Sequence, residues 1–342
     1  MKRLFFLALN LALILSTFSC NWRKDETYRK SEFLLDTIVT ITVVSDSEKK
    51  AGNAMNKAFA EIERLGKLIN FFSPDSEITA INRNAGISPV AVSPDTYTLL
   101  ERATEVATET DGAFDMTVGV VVNLYDFHKK TRPAETLIRK KLPLVNFRDL
   151  ILSQDKHTAF LKRKGMSVDA GGIAKGYTAD RAIEVLRSEG IKAALVAVAG
   201  DIRAYGLKPG GTPWRVGIRD PRGKGMDDII ATLELRDMAI STSGDYERFF
   251  IENGKRFHHL IDPKTGYPAG GVMGVTVVGP LAVYTDSLAT ALFISGIDKG
   301  LKIAGTLGYD ALMIDEKGKI HMTDALKNKI TLQPQIKTNK DK

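Results

Sequence analysis

A chain of 342 residues, 44% apolar and 26% charged, has an ordinary globular composition and is long enough for one large domain or two smaller ones. These figures exclude collagen, coiled-coil and multi-span membrane architectures, and a single cysteine excludes any disulfide within the chain. Much of the net charge of +7 sits toward the two ends, with no Lys/Arg stripe interleaved with aromatics, so nucleic-acid binding is not expected.

Lys2 and Arg3 precede an apolar run over 4–15, broken only by Asn10, and Ser16-Thr17-Phe18-Ser19 leads to Cys20. That order reads as a signal peptide over 1–19, too short for a membrane span. The lone thiol behind it is placed for lipidation, so Cys20 is expected to anchor an exported chain to a bacterial membrane on its periplasmic side. Residues 20–31 read as a polar tether, 32–332 as one compact domain and 333–342 as a disordered basic tail.

The β-branched run within 33–44 predicts a first strand. Residues 48–68 have helical spacing, with Ala54, Ala58, Ile62 and Leu65 on one face. Residues 71–86, with Pro74, Asn82, Asn84 and Gly86, read as a loop. A second helix follows over 94–110, closed by Asp111-Gly112; the apolar stretch 118–126 reads as helix or buried strand, and 134–142 as a short helix. A short strand is expected to end at Ser167-Val168-Asp169, before a turn at Gly171-Gly172 and a helix over 175–189. Strands are expected at 194–198, 214–218, 229–235, 238–241, 257–262 and 272–278, then a helix at 286–295. There are no repeats and no long linker, which favours a single α+β domain.

Between the strand and helix near 170 runs Asp169-Ala170-Gly171-Gly172-Ile173-Ala174-Lys175-Gly176. Glycines admit close backbone approach, a helix N-terminus favours an anion, and Lys175 is placed to meet a phosphate; a plain strand–helix turn reads the same way. Asp286 and Thr290 stand at i and i+4, two oxygen donors on one helix face suited to a hard cation, although Asp286 as a helix N-cap is the simpler reading. His258-His259 ends a strand before Asp262-Pro263, and alternation lets only one of the two rings face a given site. Zinc is not suggested, because neither a second cysteine nor a His-x3-His spacing is present.

Taken in order, seven segments resemble the FAD:protein FMN transferase family, the ApbE-like flavin transferases. They are FFSPDSEITAINRNAG from Phe71, DGAFDMTVGVVVNLYDF from Asp111, DAGGIAKGYTAD from Asp169, AGDIRAYG from Ala199, STSGDYERFF from Ser241, HHLIDPKTGYP from His258 and YTDSLATALFISG from Tyr284. The resemblance spans about 33–320. It implies a single compact α+β, ApbE-like (T-fold-like) domain with mixed or antiparallel sheets and flanking helices. It implies Mg2+ held by Asp286, Thr290 and the carbonyl of Gly172, with FAD as substrate contacted by Leu35, Phe72, Ala113, Phe114, Asp115, Asp169, Lys175 and Leu260. His259 matches the family's proposed base, with Lys175 beside it in the chemistry. Leu35 and Asp36 replace the Met and Gly of a family Met-Gly-Thr, which bears on backbone shape there. The implied reaction moves FMN from FAD to a Thr or Ser hydroxyl of an acceptor protein and releases AMP. Its implied partners are subunits of membrane redox complexes of the quinone reductase or Rnf type. An FAD pyrophosphatase and a non-catalytic flavin-binding lipoprotein are the alternatives; a thiamine-biosynthesis accessory role is an older reading of the family.

Overall fold

The computed structural model describes residues 24–223, 225 and 228–333, so the expected signal peptide, Cys20 and the tail beyond 333 lie outside the described residues. The first element is a hairpin of β1 (Glu26–Leu34) and β2 (Thr37–Ser45), in antiparallel register from Glu26↔Ser45 to Leu34↔Thr37. The two-residue turn puts Leu35 and Asp36 at φ 52° and 57°, the left-handed pair that matches strand twist. Asp tolerates that region; Leu35 is held in it by packing against the first helix, where a Cβ on Gly66 would fall 2.5 Å from its Cδ2.

That helix, α1 (Glu48–Ile69), starts at Ser47, whose side chain accepts from the Lys50 amide. Then come α2 (Glu77–Arg83), β3 (Val90–Ala91), α3 (Pro94–Glu109), α4 (Gly119–Val122), α5 (Glu135–Lys141), β4 (Leu150–Ser153) and β5 (Thr158–Leu161). The second half runs α6 (Ala174–Ser188), β6 (Ala193–Val198), β7 (Asp201–Tyr205), β8 (Trp214–Arg219), β9 (Ile229–Leu235), β10 (Ala239–Gly244), β11 (Phe249–Glu252), β12 (Lys255–His258) and β13 (Val272–Gly279). It closes with α7 (Ala282–Ser295), α8 (Ile297–Leu307), β14 (Asp310–Asp315), β15 (Ile320–Met322), α9 (Asp324–Lys327) and β16 (Ile330–Leu332).

The main sheet has the order β1-β2-β6-β7-β10-β13-β14-β15, each pair antiparallel. Strand alternation divides the core. Val39, Ile41 and Val43 of β2 meet α1 and α6 through Ala54, Ala58, Phe59, Ile62, Ala182 and Ile183. Val44, Leu312 and Ile314 point the other way, onto Trp214, Val216, Leu233 and Leu235 of the small sheet β16-β9-β8. Each fully buried Ile or Leu in these layers contributes about 1.5–3 kcal/mol. The result is a single antiparallel α+β domain with flanking helices, as expected.

Four expectations are corrected. The tether ends earlier, because β1 begins at Glu26; as an edge strand it is at most half-buried, at Tyr28, Glu32 and Leu34, and its exposed Arg29 and Lys30 gave it the look of a polar linker. The expected strand over 33–44 is the last two residues of β1, the turn and most of β2. The loop 71–86 contains α2, capped by Ser76 accepting from the Thr79 amide and anchored by buried Ile78 and Ile81, too short for periodicity to show. No strand ends at Asp169. Instead Asn82 imitates one: its Nδ2 donates to the Val168 carbonyl (2.9 Å) and its Oδ1 accepts from the Val168 amide (2.8 Å).

Candidate active site

The Gly-rich turn at 170–173 leads into α6, and α7 lies across its start. Contact is close because position 176 is glycine: a Cβ there would lie 2.1 Å from the Ala282 carbonyl oxygen and 2.8 Å from Cβ of Asp286. The bare Gly176 amide donates to Asp286 Oδ2 at 2.9 Å. The N-cap reading of Asp286 is therefore set aside. The helix starts four residues earlier, and its first amides, Ala282 and Val283, are taken by Asp180 at 3.0 and 2.9 Å.

Asp286 is 3% exposed. Its other oxygen, Oδ1, lies 3.4 Å from Lys175 Nζ, and the same ammonium is bonded to Asp201 Oδ2. Burial pushes the Asp286 carboxyl up, and Asp201 beside it adds to the rise; Lys175 opposes both. For Lys175, burial works against the charge, but Asp201 and Asp286 outweigh it and hold the ammonium above its usual range. Two carboxylates thus share one ammonium, leaving one negative charge in excess. Thr290, one turn along α7, has its Oγ1 3.3 Å from Ser243 Oγ, and Gly172 stands against it, an ideal Cβ at 172 falling 3.7 Å from that Oγ1. Thr290 and the Gly172 backbone therefore lie against each other, one helical turn from Asp286, and the three offer hard oxygen donors whose chemistry fits Mg2+. No group of three His, Cys, Asp or Glu side chains placed to hold a metal occurs among the described residues, so any cation here relies on hydroxyl, carbonyl and substrate oxygens.

The two histidines differ in kind. His258 is buried edge-on to Phe293, with Nε2 2.9 Å from the Ala269 carbonyl and Nδ1 3.3 Å from the Leu260 amide. Nε2 must donate and Nδ1 accept, so the neutral ring is fully used in holding the chain. His259 is half-buried; Nδ1 lies 3.4 Å from the Arg248 carbonyl, which can only accept, so Nδ1 carries the proton and Nε2 keeps a free lone pair. Burial, then the charge of Arg248, lowers the His259 pKa to about 3, and Lys175 is near enough to add to the effect. The two rings have different surroundings, but β12 ends at His258 rather than running to 262, so strand alternation does not separate them.

The remaining predicted contacts divide. Phe114 lines the Gly-rich turn, its ring 3.1 Å from an ideal Cβ at Gly172. Asp169 accepts from the Gly171 amide (2.8 Å) and from Asn123 (3.2 Å), which shapes the turn. Phe72 is 79% exposed at the surface, edge-on to Phe71. Ala113 and Leu260 are buried in the core. Asp115 is buried and already committed: Oδ1 accepts from the Thr117 amide and hydroxyl, and Oδ2 from the Phe147 amide.

Sequence reasoning missed three acids. Asp201 binds Lys175, Asp180 pairs with Arg203 (3.1 Å) while capping α7, and Asp245 takes Arg222 in a two-bonded fork at 2.7 Å each. One cue was available: Asp201 and Arg203 lie two apart on an otherwise apolar strand, hence on one face and inside.

The sequence pattern of the ApbE family matches residues 35–313. The FAD:protein FMN transferase of Treponema pallidum is 34% identical over 315 residues, spanning 86% of this chain and 87% of its own. That of Haemophilus influenzae is 33% identical over 316 residues, 89% and 90% of the two chains. Among solved structures, the ApbE protein of Thermotoga maritima superposes with a TM-score of 0.82 at 34% identity, covering 89% of this chain and 99% of that one. The flavin transferase ApbE from Vibrio cholerae follows at 0.78 and 28%, covering 89% and 99%. The matched span includes the Gly-rich turn, the Lys175 cluster and the histidine pair, and this chain belongs to the ApbE family.

Proposed function

We propose that this chain transfers FMN from FAD to a threonine or serine hydroxyl of an acceptor protein, with Mg2+ bound by Asp286, Thr290 and the Gly172 carbonyl. The acceptor oxygen attacks the FMN phosphorus, the pyrophosphate P–O bond breaks, AMP leaves with that electron pair, and the hydroxyl proton passes to His259 Nε2. The observation that carries the reading is the pair of buried carboxylates, Asp201 and Asp286, on the half-buried Lys175 ammonium, within electrostatic reach of a histidine whose Nε2 is free. A purely flavin-binding protein has no use for two buried carboxylates that share one cation. When bound, Mg2+ supplies charge neutralisation for the pyrophosphate as its bond breaks. The Gly171 and Gly172 backbone at the start of α6 admits the phosphates closely, Phe114 walls the turn, and Phe72 and Leu35 offer apolar surface to the flavin nucleotide.

The deciding experiment mixes the protein with FAD, Mg2+ and candidate acceptors, namely flavin-carrying subunits of membrane redox complexes of the quinone reductase or Rnf type. A mass gain on the acceptor equal to FMN is expected; free FMN and AMP with no adduct would replace the transferase by an FAD pyrophosphatase.

The proposal includes export and a lipid anchor at Cys20, resting on the charged start, apolar run and lone cysteine of residues 1–20. Cys20→Ser is expected to move the protein from the detergent phase to the aqueous phase with transfer unchanged. Equal partitioning of variant and wild type would remove the anchor.

A further inference from the structure

Asp201 stands outside the residues expected to hold metal or flavin, yet at 1% exposure it is more deeply buried than Asp286. It opens β7 after a two-residue turn, Ala199–Gly200, in the register Val198↔Asp201. Ala199 holds φ 53° there, a left-handed conformation that an alanine adopts only against strain. The turn aims Asp201 Oδ2 at Lys175 Nζ, which lies 3.4 Å from Asp286 Oδ1, while Asp286 Oδ2 is fixed by the Gly176 amide. Asp286 therefore has one oxygen committed to backbone and one facing the ammonium at long range.

We propose that Asp201 is a positioning residue that holds the Lys175 ammonium off Asp286, keeping Asp286 Oδ1 available to a divalent cation; the inference rests on the metal reading above. Lysine is a compact charge on a flexible stem, and between two buried carboxylates it closes on whichever is left to it. With Asp201 charged, two carboxylates share one ammonium and the excess negative charge favours a dication. With that charge removed, Lys175 and Asp286 form a neutral one-to-one pair, which a cation must break before it can bind.

The test uses the full chain in detergent, without FAD, with Mn2+ as probe and free Mn2+ read by electron paramagnetic resonance. Asp201→Asn is expected to weaken Mn2+ binding about 10–100-fold, as other supporting residues around metal sites do. Adding Lys175→Met to it is expected to restore wild-type affinity, because the competing ammonium is gone. A merely structural Asp201 would not show that rescue. Unchanged affinity in Asp201→Asn overturns the inference, as does a double variant that keeps the native circular dichroism spectrum but is not rescued, since Asp201 would then act as a ligand. Should Asp201→Asn fail to fold, Lys175→Met alone decides: binding at least as tight as wild type supports the inference, and weaker binding overturns it. No Mn2+ binding by the wild type would overturn the metal reading and this inference with it, whereas binding by the wild type with an unaffected Asp201→Asn leaves the metal reading standing.

Discussion

Asp286→Ala is expected to lower FMN transfer by about 10³-fold or more, at or beyond the loss of one fixed electrostatic stabiliser. Three effects combine. The proposed cation loses its side-chain carboxylate. The Gly176 amide loses the acceptor that ties α6 to α7. Lys175 is left with Asp201 alone. Asp286→Asn separates these, because an amide oxygen still accepts from Gly176 while the charge is gone; it should keep the native melting temperature and still lose transfer and Mg2+ affinity. The pH dependence has a definite sign. The Asp286 carboxyl is raised by burial and by Asp201, so a proton competes with the cation at higher pH than for an ordinary aspartate, and Mg2+ affinity should climb as pH rises toward neutrality and above. Isothermal titration across that range checks this; an affinity independent of pH, or an Asp286→Asn variant with full Mg2+-dependent transfer, would contradict the assignment.

His259→Ala should cost about 10²–10⁴-fold in transfer rate and little in FAD affinity, because a base acts on the acceptor hydroxyl in the transition state and not on bound FAD. His258→Ala should behave in the opposite way. Its ring is buried, touches Phe293 and bridges the Ala269 carbonyl and the Leu260 amide, so truncation leaves polar groups unpaired and a cavity, and lowers stability. Measuring melting temperature, FAD affinity and transfer on both variants separates the roles; a stable, inactive His258→Ala beside an active His259→Ala would exchange them. A folded-state pKa near 3 keeps His259 unprotonated throughout pH 5–8, with its lone pair free though weakly basic, so it should add no acidic limb to kcat/KM in that window. A limb near 6.5 that vanishes in His259→Ala would show that the ring is less buried in the working enzyme.

Local signals were legible where the chemistry is local. The helix was readable over 48–68 because its apolar face repeats every turn; that Ser47 caps it came from the structure. Asp286 and Thr290 were readable as a pair because i and i+4 share a helix face wherever that helix packs. Glycine at 176 was legible only as part of the Gly-rich motif; its reason is an oxygen of residue 282, far along the chain.

What the residues dictated unaided was therefore the set of elements with strong periods, the single α+β domain and the resemblance to the family whose pattern matches 35–313. The edge strand β1 and the capped α2 escaped, since one buries a single face and the other spans only seven residues. Only the tertiary structure decided that Lys175 binds Asp201 and Asp286, that Asp180 rather than Asp286 caps α7, and that Asp115 is spent on the backbone of Thr117 and Phe147. The physical reason is that a buried charge takes its partner from whichever element packs against it. Here the partner of Lys175 lies 26 residues away in one case and 111 in the other, beyond the reach of any local pattern.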